Sequence, residues 1–263
     1  MKKSMYIIDL MNSQSSISRL FDKSHVIVTF SNKSNARESP VSEYIQEHWN
    51  KIVKKNALMF SGDLLSVVNN NSNPEYIKLD TILTKYDDYY ITRTKEFQRK
   101  FPNQKSTNVL STGCVSITSD NYVVLGKRSL QLSVSPGKIT IVSGMADDED
   151  IIKNNQVDVF GCITREIKEE IGVNSNEIKE LICMGLIEKP RNQGIFIPFF
   201  GSFNITFSKI AERENDGELI ELFKIKNSEK EIIKVLEDST KLSSVAVSSL
   251  KIYLDLFPIL NNK

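Results

Sequence analysis

The chain has 263 residues, with 34 Lys and Arg against 33 Asp and Glu, and a formal net charge of +1. This length can enclose a sizeable core, and the near-zero charge gives no global field that would attract nucleic acid or an anionic membrane. Three cysteines without a paired motif, and no apolar run long enough for a signal peptide or a membrane span, are typical of a protein of the cytoplasm.

The first 105 residues are predicted to form an α+β region. Residues 42–53 carry apolar side chains at helical spacing, and Ser42 is the expected cap of this helix. The aromatic and acidic residues 86–90 favour a cluster that packs on the rest of the chain, with the wall of a substrate pocket as the alternative. Strands are expected at 26–30, 64–68 and 76–79, the last two forming a hairpin.

Residues 106–263 are predicted to form a second unit that is rich in strands. A central helix is expected over residues 158–171, with Gly172 just past its end, and apolar positions between 245 and 257 predict a closing helix. Strands before and after a central helix indicate a mixed α/β sandwich on which the N-terminal region packs. The expected strands are 114–118, 122–126, 139–142, 181–187, 195–203 and 220–225.

Three carboxylates on the central helix are the strongest sign of chemistry in the sequence. Glu166, Glu169 and Glu170 stand at positions i, i+3 and i+4, so they project from one face, where they repel one another unless a cation lies among them. Mg²⁺ suits such a site because it prefers hard oxygen ligands and bridges to phosphates. A solvated charged face is the alternative reading of this spacing. An apolar stripe beside the acids favours the metal site; it consists of Ile163, Ile167 and Ile171.

Residues 165–173, which read Arg-Glu-Ile-Lys-Glu-Glu-Ile-Gly-Val, resemble the second half of the signature of Nudix hydrolases. Gly144 looks like the glycine that opens this signature. The segment from Gly144 to Arg165 spans 21 positions, about seven more than the signature has. Asp150 and Asp158 are both candidates for the place of the first glutamate of the signature.

The longer segment is similar to that of a eukaryotic Nudix subgroup that hydrolyses UDP-glucose and UDP-galactose. Several short motifs resemble the same subgroup: Trp49 and residues 58–62, 86–89, 123–129, 136–138 and 158–160. The resemblance implies a Nudix-type α/β/α sandwich with a mixed sheet and an N-terminal α+β extension. It also implies a metal-dependent pyrophosphohydrolase that uses Mg²⁺, or Mn²⁺, and releases UMP and a sugar 1-phosphate.

The resemblance also implies roles for individual residues. Glu169 and Glu170 would bind Mg²⁺ together with the Gly144 carbonyl, and Glu166 would be a further ligand or the base that activates water. Arg165 would orient one of the glutamates through a charge-assisted hydrogen bond. The substrate-binding candidates are Lys127 and Arg128 at a strand end, Tyr86 in the aromatic cluster, and Lys189, Arg191 and Asn192 in a later loop.

Two other functions stay open at this point. The first is hydrolysis of ADP-ribose, of another nucleoside diphosphate derivative or of a capped RNA end, although the absence of a long basic tract disfavours RNA. The second is a non-catalytic Nudix-fold module that binds nucleotides. Intact glutamates on the central helix favour catalysis over binding alone, and nothing in the sequence indicates an oligomeric state.

Overall fold

The computed structural model describes residues 5–9, 14–34, 37–56, 59–189 and 194–261. The strands are β1 (Met5–Asp9), β2 (Gln14–Phe21), β3 (Val26–Ser34), β4 (Asp63–Asn70), β5 (Ile77–Lys85), β6 (Leu110–Ile117), β7 (Tyr122–Arg128), β8 (Ile139–Thr140), β9 (Val142–Met145), β10 (Ile151–Ile152), β11 (Gln156–Val157), β12 (Ile178–Glu188), β13 (Ile195–Phe203) and β14 (Leu219–Lys226). The helices are α1 (Ser39–Lys55), α2 (Tyr86–Thr92), α3 (Lys95–Lys100), α4 (Val159–Ile171), α5 (Phe207–Ala211), α6 (Glu229–Glu237) and α7 (Ser244–Leu260). None of the helices in these ranges is both long and apolar enough to cross a membrane.

The larger sheet runs in the order β1-β2-β12-β13-β6-β7-β14, with β9 paired to β6 and β8 paired to β7. It is mixed, because β13 and β6 run parallel while β12 and β13 run antiparallel. Successive side chains of a strand point to opposite faces, so Cys114 and Phe199 enter one apolar core and Val115 and Phe200 enter another. Helix α4 packs on the first face and α7 on the second. The predicted α/β/α sandwich with a mixed sheet is therefore confirmed.

The smaller sheet runs in the order β10-β11-β3-β5-β4. Two of its strands, β10 and β11, come from the long acidic segment between Gly144 and Arg165, and Gln156 of β11 pairs with Thr29 of β3. Its inner face adds Val28 and other apolar residues to the core beneath α4. The N-terminal residues also reach the larger sheet, where β2 pairs with β12. Strands from before and after residue 105 thus share both sheets, and the division there stays a prediction.

Most elements lie where the sequence predicts them, including the β4–β5 hairpin and α4. The predicted start of the first helix at Ser42 is wrong. Helix α1 begins at Ser39, with Pro40 in its first turn, where the fixed φ of proline suits a helix and its missing N–H costs nothing. Helix α3 was not predicted from the sequence. Thr94 caps it by accepting a hydrogen bond from the Phe97 N–H at 3.1 Å.

Candidate active site

Helix α4 has clear local signals at both ends. The side chain of Asp158 accepts a hydrogen bond from the Gly161 N–H at 3.1 Å, which satisfies one of the free donors of the first turn. Gly172 ends the helix with a left-handed φ of 67°, which glycine adopts without steric cost. Between these ends, Ile163 and Ile167 are fully buried against the sheet. The acidic face of α4 is therefore held beside its buried face, next to β9.

Glu170 is fully buried, which is rare for a carboxylate. One oxygen, Oε2, accepts a hydrogen bond from the Ser143 N–H at 3.0 Å, while Oε1 is buried with no hydrogen-bond partner. Burial, and after it the charges of Glu166 and Glu218, raise the pKa of Glu170 well above its ordinary value. Burying a carboxylate oxygen without a partner costs free energy of folding unless a ligand contacts that oxygen.

Glu166 lies directly against Gly144 of β9. A Cβ atom added to Gly144 would overlap the Glu166 carboxylate, so this close approach requires glycine. The Glu166 side chain is only 12% exposed, and Arg165 Nη1 donates to its Oε1 at 3.1 Å. Burial raises the pKa of Glu166 to about 7, although Arg165 acts in the opposite direction. The predicted Gly144 and Glu166 are thus brought together on neighbouring elements.

Arg165 organises the carboxylates around it. Its Nη1 lies 3.4 Å from Glu169 Oε2, and its Nη2 lies 3.2 Å from both Asp147 and Asp150. Asp150 is buried and also accepts a hydrogen bond from the Asp147 N–H at 3.1 Å. A guanidinium with several donors can hold several carboxylates in fixed positions at once.

Asp150 and Asp158, the two candidates for the first glutamate of the signature, have different surroundings. Asp150 contacts Arg165, as described above. Asp158 caps α4 and lies 2.9 Å from the exposed Lys23 ammonium. Of the two, it is Asp150 that belongs to the network around the glutamates.

A further acidic residue, Glu218, was not identified from the sequence. It precedes β14, and the Asp216 N–H two residues earlier donates to the Glu169 carbonyl at 3.0 Å, which ties this loop to α4. Glu218 Oε2 lies 3.6 Å from Arg128 Nη2, and burial raises the pKa of the Glu218 carboxyl. No local motif marks Glu218, because only the pairing of β14 with β7 brings it to the site.

A cavity of about 550 Å³ borders Gly144, Arg128 and Glu218. Tyr86 lines it as well, with its hydroxyl hydrogen-bonded to the Ser133 hydroxyl. The aromatic cluster at residues 86–90 thus contributes to the wall of this cavity. Apolar and aromatic residues line much of the remainder, including Leu64, Tyr89, Val109 and Phe196.

The other predicted contacts differ in their placement. Lys127 is exposed and does not line the cavity, and Arg191 and Asn192 lie outside the described residues. Arg128 lines the cavity, and its Nε donates to the Val134 carbonyl at 3.1 Å, which fixes the direction of the guanidinium. The roles of all these residues in substrate binding stay predictions.

Among the described residues, no group of three or more His, Cys, Asp or Glu side chains is placed so that it could hold a metal ion. The carboxylates of α4 instead contact donors of the protein, Glu170 at the Ser143 N–H and Glu166 at Arg165. The oxygen atoms near Gly144 nevertheless form a donor set of the hard type that Mg²⁺ prefers.

No model of a protein family and no curated protein matches the chain. Solved structures similar to it include a MutT/Nudix family protein from Listeria innocua, with 18% identity over 58% of this chain and 95% of that chain and a TM-score of 0.43. A Nudix hydrolase from Nitrosomonas europaea has 22% identity over 59% and 73%, with a TM-score of 0.38. A structure described as an ADP compounds hydrolase has 13% identity over 78% and 100%, with a TM-score of 0.44. Likenesses this weak carry no activity or substrate from those proteins to this chain.

Proposed function

We propose that the protein is a pyrophosphohydrolase of the Nudix type that cleaves the diphosphate of a nucleoside diphosphate sugar. The best-supported substrates are UDP-glucose and UDP-galactose, which would yield UMP and a sugar 1-phosphate. The observation that carries the proposal is the fully buried Glu170, with one oxygen unpartnered, next to the close approach of Glu166 and Gly144 at the edge of the cavity.

The chemistry of these oxygen atoms supports a magnesium ion as the bound metal. Oε1 of Glu170 has no hydrogen-bond partner, and a bound cation would provide the missing contact. The same cation would reduce the repulsion between Glu170 and like-charged neighbours such as Glu166. Glu169 and the Gly144 carbonyl would complete the set of oxygen ligands. When bound, Mg²⁺ neutralises phosphate charge and lowers the pKa of a coordinated water.

The protein's own residues would position the reactants around this ion. Arg165 holds Glu166 and Glu169, and is itself held by Asp147 and Asp150, so the carboxylates need little reorganisation when substrate binds. Arg128 faces the cavity and is the candidate donor to a diphosphate oxygen. Glu166 serves as a metal ligand or accepts a proton from the attacking water, and Glu218 adds a further carboxylate at the edge of the cavity.

The direct test is product formation from UDP-glucose, UDP-galactose and ADP-ribose with Mg²⁺, with Mn²⁺ or with a chelator. We expect UMP from the UDP-sugars with either metal and none with the chelator. Glu169→Gln should lower kcat/KM by roughly 100-fold or more, because it removes a proposed ligand charge. Glu237→Gln, at the exposed end of α6, is the control and should match the wild type.

Other outcomes separate the alternatives. A strong preference for ADP-ribose would contradict the assignment of UDP-sugars as substrates, but not the proposal that the protein is a pyrophosphohydrolase. Binding of nucleotide sugars without turnover under either metal would favour the non-catalytic binding module. Product formation that survives complete removal of divalent metal would exclude the metal site.

A second prediction concerns the two candidates for the first glutamate. Asp150→Asn should lower kcat by about 10- to 100-fold, because Arg165 loses a charged partner that fixes its position. Asp158→Asn is the matched control: asparagine caps a helix about as well as aspartate, and the exposed contact with Lys23 contributes little. Steady-state kinetics with a thermal melt of each variant would check this, and the reverse order of effects would contradict it.

A further inference from the structure

Two cations line a part of the cavity that the proposed reaction does not use. Arg93 follows α2; its guanidinium lies 4.5 Å from the centre of the Tyr89 ring and donates to the Tyr89 hydroxyl. Lys189 follows β12, and its ammonium lies 5.9 Å from the centre of the Phe196 ring. Both cations are half-buried, so their charges are partly removed from water.

Neither cation has an acidic partner among the described side chains. Four other half-buried arginines do have one: Arg37 with Asp88, Arg128 with Glu218, Arg165 with four carboxylates, and Arg213 with Glu177. A fifth, Arg19, donates to the Pro74 carbonyl instead. For Arg93 and Lys189, no described carboxylate lies within 4.0 Å. Burial, and after it the charge of Arg93, lower the pKa of Lys189 to about 8. Two half-buried like charges without a counter-ion are unfavourable, and an anion bound between them would relieve this.

The position of this pair separates it from the proposed metal site. Lys189 Nζ lies beside Gly194, the residue just before β13. A Cβ atom added to Gly194 would be 3.8 Å from this nitrogen. Gly144 lies on β9, and the order β13-β6-β9 puts two strand spacings between them, or about 10 Å. Arg128 is the last residue of β7, which lies on the side of β6 away from β13. At that spacing, we expect a diphosphate held at Gly144 to leave Lys189 available to a different anionic group.

We propose that Arg93 and Lys189 form an anion subsite that binds a second anionic group of the substrate, a phosphate or carboxylate distinct from the diphosphate that is cleaved. This inference rests on the proposed function of the neighbouring site and narrows its substrate class. Among nucleoside diphosphate derivatives, one with an extra anion is then preferred over UDP-glucose and UDP-galactose. The extra anion lies either on the sugar, as in a nucleoside diphosphate uronate, or on the nucleoside ribose, as in a 2′-phosphate. Apolar and aromatic residues that line the same cavity, Tyr89 among them, suit the uncharged part of the molecule.

Matched substrate pairs test the subsite and separate the two sources of the anion. The pairs are UDP-glucuronate with UDP-glucose, and ADP-ribose 2′-phosphate with ADP-ribose, each with Mg²⁺. In at least one pair we expect the wild type to favour the anionic member by about tenfold in kcat/KM. Lys189→Met and Arg93→Met should abolish that preference, so that kcat/KM for the two members of the pair becomes equal within about threefold. Lys189→Arg should retain the preference, and Lys230→Met, on the exposed surface of α6, is the control.

A binding measurement tests the subsite without relying on turnover. Calorimetric titration with UDP-glucuronate and UDP-glucose, and with adenosine 2′,5′-bisphosphate and AMP, is done on the wild type and on Lys189→Met with a chelator present. One outcome would support the subsite and contradict the proposed hydrolase. In it, none of the four substrates is hydrolysed, the anionic ligand of a pair binds more tightly than its partner ligand, and Lys189→Met removes that difference. Turnover of both pairs without preference, and equal binding by wild type and variant, would overturn the subsite and leave the hydrolase intact. The absence of both turnover and any binding difference would overturn both.

Discussion

Gly144→Ala is expected to lower kcat/KM by roughly 100-fold while the protein stays folded. The added Cβ would occupy the space of the Glu166 carboxylate, which would have to turn away and leave its contact with Arg165 Nη1 at 3.1 Å. Gly144 also borders the cavity, so the same methyl group would narrow the place where the diphosphate is proposed to bind. Displacing a ligand or a substrate atom by about 1 Å is enough to cost two orders of magnitude in rate.

Gly161→Ala provides the matched control for this prediction. Gly161 is exposed on α4, and the atoms nearest to a Cβ there belong to the side chain of Asp158, at 3.1 Å. Alanine is also the better helix former by roughly 1 kcal/mol. Both variants should be compared by steady-state kinetics, with a thermal melt to establish folding. Wild-type kinetics in a folded Gly144→Ala protein would contradict the assignment of Gly144 and Glu166 to one site.

Local signals in the sequence predict α4 and its carboxylates well. Asp158 and Gly172 mark the ends of the helix, and the isoleucines at every fourth position define its buried face, so the direction of the glutamates follows from helical geometry alone. Tyr86 could not be assigned in the same way, because an aromatic cluster has the same composition whether it packs in a core or lines a cavity. Only the hydroxyl contact with Ser133 and the cavity beside it distinguish the two cases.

Features that depend on the pairing of strands distant in the sequence could not be predicted. Glu218 reaches the site because β14 pairs with β7, and no residue near Glu218 in the sequence signals that pairing. No strand was predicted in the acidic segment after Gly144, yet its two short strands extend the smaller sheet through Thr29. The choice between Asp150 and Asp158 likewise depends on which carboxylate faces Arg165. Spacing along the chain cannot decide this when the segment is longer than the signature.

Glu170→Gln is expected to lower kcat/KM by roughly 100-fold or more and, without metal, to stabilise the protein at neutral pH. Glu170 is fully buried, and burial raises its pKa well above the value that it has in the unfolded chain. A group of this kind costs stability at pH values above its unfolded pKa, and the cost disappears as the pH falls below it. Glutamine accepts the same hydrogen bond from the Ser143 N–H without any titration, so the variant avoids that cost.

With magnesium bound, the wild type should instead be more stable than Glu170→Gln. A ligand that binds only the folded state at 100 times its Kd stabilises by about 2.7 kcal/mol, so Mg²⁺ should raise the Tm of the wild type. The Tm of Glu170→Gln should respond weakly, whereas Glu237→Gln should behave as the wild type does in both conditions. Thermal melts with and without Mg²⁺ measure this difference without relying on turnover. A Glu170→Gln protein that is less stable than the wild type without metal, and that gains as much from Mg²⁺, would identify Glu170 as a structural carboxyl rather than a ligand. A buried acid retained at a cost in stability is expected where binding, and not folding, requires its charge.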